Sequence, residues 1–242
     1  MRRVAMLVMV GLLAACGSDG DSGSSDEDDP SEKSSTTTEE KAERDLEGDQ
    51  ELADGAVLTI DDVPTGFAEK PEDDDEEDDA IDQSLAECLG ITVAELNDGD
   101  AEPGESTTFG TEGGQEVSSE VVMYATEEEV TEDLELLKDP ASQDCFAEAL
   151  NQIFAADGEV EIGEITIEDL GVEDLGEDAV GFGVAIPFAA ESGERVLYLD
   201  LVAVQQGRAE ISMAYQGFDV PFDVGLAYDL AATVVDRVPA DA

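Results

Sequence analysis

The side chains best suited to covalent chemistry in this sequence are three cysteines, Cys16, Cys88 and Cys145. A cysteine thiolate can act as a nucleophile, bind a metal ion or form a disulfide. The 242-residue chain contains no histidine, which excludes Ser-His-Asp and Cys-His catalytic arrangements and any zinc site that uses histidine. The sequence also lacks a G-x-S-x-G element, a Walker A loop and a G-x-G-x-x-G loop. We therefore expect a non-enzymatic protein with no catalytic residue, no metal site and no cofactor.

Cys16 follows a segment with the layout of an export signal. Arg2 and Arg3 precede an apolar run over residues 4–13. About ten apolar residues are typical of a secretory signal peptide and are too few to span a bilayer about 30 Å thick. The sequence Leu13-Ala14-Ala15-Cys16 resembles the lipobox of bacterial lipoproteins. This resemblance implies that residues 1–15 are removed and that the lipidated thiol of Cys16 anchors the chain to the cell membrane on its extracytoplasmic side.

The two remaining cysteines form one pair if Cys16 carries lipid. A single pair of cysteines in an exported domain is most simply a structural disulfide between Cys88 and Cys145. Both residues lie on apolar faces of predicted helices, so the bridge is expected inside the core. The alternatives are a reactive thiol and a metal site, but both of these normally require histidine or further cysteines.

Carboxylates are too frequent, at 64 of 242 residues, for their presence alone to indicate a catalytic pair. Asp200 is the one acidic residue inside a strongly apolar strand pattern, which makes it the candidate for a functional buried carboxylate. A solvent-facing position is the alternative. Gly181 and Gly183 leave one face of a neighbouring strand without side chains, which is typical of close approach by a ligand or another segment. These three residues are the candidate ligand-binding site, with tight packing of a helix on the glycines as the alternative.

The net charge of −54 excludes one class of partner and predicts a dependence on salt. No basic patch exists to displace counterions from phosphate, so we expect no nucleic-acid partner. Charge of one sign keeps a chain soluble but opposes compaction, and salt screens that repulsion. The acidity is typical either of a protein from a saline medium or simply of an acidic exported protein.

The composition divides the chain into three parts. Residues 1–15 are the predicted signal peptide. Residues 16–51 comprise the lipidated cysteine and a linker rich in Gly, Ser, Thr, Asp and Glu, which buries too little apolar surface to fold. Residues 52–242 are predicted to form one domain, interrupted near its start by the acidic run 72–79, which we interpret as a solvated loop.

Local patterns in the domain predict an α+β fold, an antiparallel sheet backed by helices. Apolar periodicity and capping residues predict four helices, which lie at 81–89, 127–137, 140–154 and 222–238. Alternating patterns predict five strands, which lie at 117–125, 160–167, 180–188, 196–205 and 209–215. Gln206-Gly207 is interpreted as a hairpin turn. Short connections between consecutive strands favour antiparallel pairing.

The order of these motifs resembles an actinobacterial family of extracytoplasmic domains, best known as the sensor domain of the receptor kinase PknH and also found in lipoproteins. The resemblance begins at residues 58–67, which contain Pro64-Thr65-Gly66-Phe67. It continues through Asp144-Cys145, residues 175–180 and Gly207-Arg208, and covers about three quarters of the chain. It implies a helix-backed antiparallel sheet with a ligand-binding cleft and places Cys145 in a disulfide. Members often have two disulfides, whereas this chain can form only one.

These observations predict a membrane-anchored, ligand-binding or sensor-like module on the outer side of the membrane. Its expected partners are the membrane, through the lipid anchor, and an unknown small ligand or envelope protein. Two alternatives are a carrier of lipid or other apolar cargo and a structural envelope protein. A polar cleft would favour the sensor, a large apolar cavity the carrier, and a closed core the structural protein.

Overall fold

A central antiparallel sheet of eight strands organises the part of the chain that the structure describes. The structure, a computed structural model, describes residues 44–71, 76–93, 103–157, 162–190 and 193–240. The predicted signal peptide, Cys16 and the predicted linker up to residue 43 lie outside the described residues. The strands are β1 (Ala68–Glu69), β2 (Gly104–Glu105), β3 (Phe109–Gly110), β4 (Glu116–Met123), β5 (Thr166–Asp169), β6 (Asp178–Ala190), β7 (Gly193–Gln206) and β8 (Ala209–Phe218).

The sheet is built around its three long C-terminal strands. The strand order is β1-β3-β4-β8-β7-β6-β5, and β2 also pairs with β4. Strands β6, β7 and β8 form two successive hairpins, with Gly181 opposite Val202 and Asp200 opposite Tyr215. Apolar and β-branched residues dominate these strands, and this composition favours a pleated, buried surface. The predicted antiparallel α+β fold is therefore confirmed.

Five helices, counted over the described residues, cover both faces of the sheet. They are α1 (Leu46–Ala56), α2 (Glu76–Leu89), α3 (Glu127–Lys138), α4 (Pro140–Asp157) and α5 (Val224–Val235). Successive residues of a strand point to opposite faces, so the neighbours Val121 and Val122 belong to two separate buried clusters. We call the face of Val121, which packs against α1 and α5, the first face. The second face, that of Val122, packs against α2, α3 and α4.

Capping residues explain where three of the predicted helices begin. Thr126 accepts a hydrogen bond from the backbone of Glu129, while the Glu129 carboxylate accepts from the backbone N–H of Thr126, which completes the expected capping box. Helix α4 begins at Pro140, as predicted, and the carboxylate of Asp139 accepts a hydrogen bond from the N–H of Ala141 at 2.9 Å. The side chain of Asp223 caps α5 in the same way.

The structure corrects several predicted boundaries. Helix α1 begins at Leu46, inside the segment 16–51 that the composition predicts to be a linker, because Asp45 caps it and the domain packs against it. Helix α2 begins at Glu76, within the acidic run that was interpreted as a loop, and acidic residues at a helix N-terminus are favoured by the helix dipole. The two residues between β7 and β8 are Gly207 and Arg208, so the predicted turn is shifted by one position. Of the predicted strand 160–167, residues 160 and 161 lie outside the described residues, and the observed strand β5 is shifted towards the C-terminus, at Thr166–Asp169.

Candidate functional site

Asp200 lies on the first face of the sheet, between a glycine and a tyrosine. Its cross-strand neighbours are Gly183 on β6 and Tyr215 on β8. The next residue in this row, Glu168 on β5, pairs with Gly183 and brings a second carboxylate to the same face. Burial, followed by repulsion from Glu168, raises the pKa of Asp200 to about 6. Asp200 itself is half-buried, which is intermediate between the buried and the solvent-facing carboxylate that the sequence left as alternatives.

The face of Gly181 and Gly183 is occupied by the chain itself. A Cβ atom at Gly181 would lie 2.8 Å from Cγ2 of Val172 and 3.3 Å from Cβ of Leu170. A Cβ atom at Gly183 would lie 3.0 Å from Oδ1 of Asp200 and 3.2 Å from Cδ2 of Leu170. The glycines are needed because the segment after β5 crosses closely over them. Another segment therefore does approach both glycines closely, and that segment is a loop of this chain, where the sequence left a ligand groove and a packed helix as alternatives.

The chemistry available at Asp200 is that of a carboxylate with a raised pKa. The hydroxyl of Tyr215 donates its hydrogen bond at 2.7 Å to the backbone carbonyl of Ala227, which fixes α5 against β8. Within the residues that the structure describes, no group of three or more Asp, Glu, Cys or His side chains is arranged to hold a metal ion. At the surface of the sheet, Asp200 can bind a proton, and its carboxylate together with that of Glu168 can attract a cationic group.

The disulfide between Cys88 and Cys145 joins α2 to α4. Their Cα atoms lie 5.6 Å apart, within the range that a bridge requires, so the predicted pairing is confirmed. Cys145 is buried, whereas Cys88 is exposed. The expectation that the bridge lies inside the core was wrong for Cys88, because α2 buries Leu85 and Ala86 against the core but leaves Cys88 exposed near its C-terminal end.

A small apolar cavity lies beside this disulfide, where α2, α3 and α4 meet the sheet. Its volume is about 10 Å³, which is room for about one water molecule. Its lining is mainly apolar and consists of Leu85, Leu89, Leu136, Leu137, Ser142, Gln143 and Phe182. A cavity of this size cannot enclose a lipid chain or a small organic ligand, which would need at least several hundred Å³.

All six Lys and Arg residues in the described part of the chain form ion pairs. The pairs are Arg44–Asp49, Arg208–Asp49, Lys70–Glu116, Lys138–Asp178, Arg195–Asp219 and Arg237–Asp62. The remaining acidic residues far outnumber these cations. The outer surface is therefore strongly negative, and the cations serve to hold distant segments of the fold together.

A group of buried carboxyl residues on the second face was missed by the sequence analysis. Asp133 of α3, Glu120 of β4 and Glu210 of β8 are 0%, 5% and 1% exposed. The hydroxyls of Tyr124 and Ser212 donate to the two carboxylate oxygens of Glu210, at 3.3 and 3.4 Å. The sequence signal was weak, because one acidic residue in a strand that alternates with apolar residues normally faces solvent.

Comparison with known proteins leaves the family of this chain open. No protein-family model matches the sequence, and no curated protein matches it. None of the described helices has the length and apolar character needed to cross a membrane. The candidate lipidation residue, Cys16, lies outside the described residues.

Proposed function

We propose that this chain is a membrane-anchored extracytoplasmic lipoprotein whose folded domain is a non-enzymatic ligand-binding or sensor-like module. The observation that carries the proposal is the disulfide between Cys88 and Cys145. Disulfides persist in exported proteins, and this one uses two of the three cysteines. Cys16 is then the one cysteine outside the bridge, at the position where the lipobox resemblance requires it.

Recognition at the outer surface is supported over the enclosure of cargo. The cavity at the junction of α2, α3 and α4 has a volume of only about 10 Å³, and the glycine face of β6 is filled by Leu170 and Val172. The acidic surface favours ligands or protein partners that carry positive charge. The resemblance to the sensor-domain family supports the same function.

Membrane fractionation of a Cys16→Ser variant tests the anchor. We expect the wild-type chain in the membrane fraction, with a lipid on its N-terminal peptide by mass spectrometry, and the variant in the soluble fraction. The double variant Cys88→Ala/Cys145→Ala is the control, because it lacks the bridge but retains Cys16 and should stay on the membrane. An unmodified N-terminus, with the same fractionation for wild type and Cys16→Ser, would contradict the proposal.

Mass spectrometry of the native domain separates the sensor from the alternative carrier. We expect no stoichiometric lipid to co-purify with the protein. A lipid or another apolar molecule retained at one per chain, and released on unfolding, would instead identify a carrier whose cavity opens to admit its cargo.

A further inference from the structure

Glu210 lies at the centre of the buried carboxyl group between α3 and the sheet. It faces Asp133, which reaches down from α3, and Glu120, which lies on the neighbouring strand β4. From β7, Gln205 stands opposite Glu210, and its amide donates hydrogen bonds to the backbone carbonyls of Glu127 and Gly207. Three carboxyl groups from three elements are therefore buried in one layer between α3 and the sheet.

This environment favours a carboxyl group that holds its proton. Burial is the main cause, and repulsion from Asp133 and then Glu120 adds to it, so the pKa of Glu210 is raised well above its ordinary range. Hydrogen bonds from Tyr124 and Ser212 act in the opposite direction but do not overcome burial. A protonated carboxylic acid also gains a hydrogen-bond donor, and a neighbouring carboxylate can accept that hydrogen bond.

A row of cross-strand neighbours leads from this interior group towards the surface. Glu105 on β2 is the cross-strand neighbour of Glu120 and is exposed. Glu120 in turn stands opposite Ser212 on β8, whose hydroxyl donates to Glu210. Each member of this row carries a group that can accept or donate a proton.

We propose that Glu210, together with Asp133 and Glu120, is a proton-binding site buried between α3 and the sheet, and that release of its proton loosens α3. With the proton bound, Glu210 is neutral and does not repel the carboxylates of Asp133 and Glu120. When the proton leaves, like charges repel at short range in a medium that screens them poorly. Asp133 is the member of this group that α3 carries, so separation of α3 from the sheet relieves the repulsion.

The inference concerns the folded domain and does not depend on lipidation of Cys16. It makes the domain responsive to extracytoplasmic pH. The sign follows from proton binding: a folded state that holds a proton which the unfolded state lacks becomes less stable as pH rises. Each such proton changes the unfolding equilibrium constant by about tenfold per pH unit.

The test compares urea unfolding of the full chain and a Glu210→Gln variant between pH 6 and pH 9, in molar NaCl to screen the surface charge. The chain has no histidine, so few other side chains titrate in this window. Gln has the shape of the protonated acid. We expect the wild-type unfolding constant to rise with pH more steeply than that of Glu210→Gln, by up to about tenfold per unit.

The control is Glu135→Gln, which removes one negative charge from the exposed side of α3. Its pH dependence should match that of the wild type. Hydrogen exchange should show loss of protection in α3 at pH 9 for the wild type and less loss for Glu210→Gln. Equal pH slopes for the wild type and Glu210→Gln would overturn the proposal.

A measurement on the wild-type chain covers the case in which Glu210→Gln does not fold. The infrared carbonyl band of a protonated carboxyl group should persist at pH 7, where ordinary carboxylates are ionised, and should vanish on unfolding in urea. Its absence from the folded chain at pH 7 would overturn the proposal without any variant.

Discussion

The guanidinium of Arg208 lies 2.7 Å from the carboxylate of Asp49 and joins residues that are 159 positions apart in the sequence. The pair holds the turn of the β7–β8 hairpin against α1. Arg44 approaches the same carboxylate, with 2.7 Å between Nε and Oδ2. The hydrogen bond from Arg208, more than any other contact, lowers the pKa of Asp49 despite the opposing effect of burial. Helix α1 is therefore an integral part of the domain.

Replacement of Asp49 by Asn is expected to lower the free energy of unfolding by about 2 kcal/mol at pH 7, because two half-buried guanidinium groups lose their counter-ion. Urea unfolding measures the loss. A lowered pKa means that Asp49 stabilises the fold above its ordinary pKa and ceases to do so as pH falls through the folded-state value. The difference between wild type and variant should therefore shrink in acid. Glu51→Gln, at an exposed position of α1, should change stability by less than about 0.5 kcal/mol.

Two glycines near the contact between α1 and β2 should respond to alanine with opposite signs. A Cβ atom at Gly104 would lie 2.3 Å from the backbone carbon of Ala53, so Gly104→Ala must push α1 away and should cost about 1–3 kcal/mol. Gly55 has no atom within 4 Å of such a Cβ, and Gly55→Ala should stabilise the helix by about 0.5–1 kcal/mol. Thermal melts of both variants measure these two changes in stability. Similar small shifts in both would contradict the packing of α1 on β2.

The sequence predicted the sheet better than its surroundings, for reasons that particular residues make clear. The long apolar patterns of β6, β7 and β8 identify these segments as strands without information about distant residues. Helix α1 has few large apolar residues, and its stability depends on Arg208, which is 159 positions from Asp49. Such a contact leaves no trace in local periodicity.

The buried carboxyl group was missed for a different reason. In β8, Glu210 and Ser212 alternate with Ile211 and Met213, which is the usual pattern of a strand with one face in water. Here helices cover both faces of the sheet, so the polar residues of β8 lie beneath α3. A single sequence cannot distinguish a strand face in water from one covered by a helix, because the covering helix comes from another part of the chain.

Reduction of the Cys88–Cys145 bridge should destabilise the domain strongly. The two cysteines are 57 positions apart, and chain entropy alone gives a loss of about 4 kcal/mol, with typical measured values of about 2–4. Urea unfolding of the oxidised and the reduced wild-type chain measures how much the disulfide contributes to the free energy of unfolding, without any substitution. In the absence of reductant, neither cysteine should react with a thiol reagent after unfolding. Two reactive thiols at these positions would contradict the bridge.

The half-buried Asp200 should contribute a pH dependence in the acid range. Because its pKa is raised to about 6, its contribution to stability is complete at low pH and is lost as pH rises from its ordinary value through about 6. Asp200→Asn should therefore gain stability relative to wild type as pH increases from 4 to 7. Asp229→Asn, at an exposed position of α5, serves as the control and should show no such trend. A constant difference between wild type and Asp200→Asn would indicate that the carboxylate is solvated.

Salt should stabilise this domain because repulsion outweighs attraction among its surface charges. Residues 51–242 contain 51 acidic and five basic residues. The ion pairs that salt would weaken are few, and exposed pairs contribute only about 0–1 kcal/mol each. We therefore expect the melting temperature to rise from low salt to molar NaCl.

The concentration at which this rise occurs identifies its cause. The Debye length falls from about 30 Å at 0.01 M to about 10 Å at 0.1 M and about 3 Å at 1 M. Relief of repulsion should therefore produce most of the increase below about 0.5 M, and NaCl and KCl should act alike. An increase that begins only at higher salt would point instead to exclusion of salt from the protein surface. A melting temperature that stays constant throughout would show that the excess carboxylates lie too far apart to oppose folding.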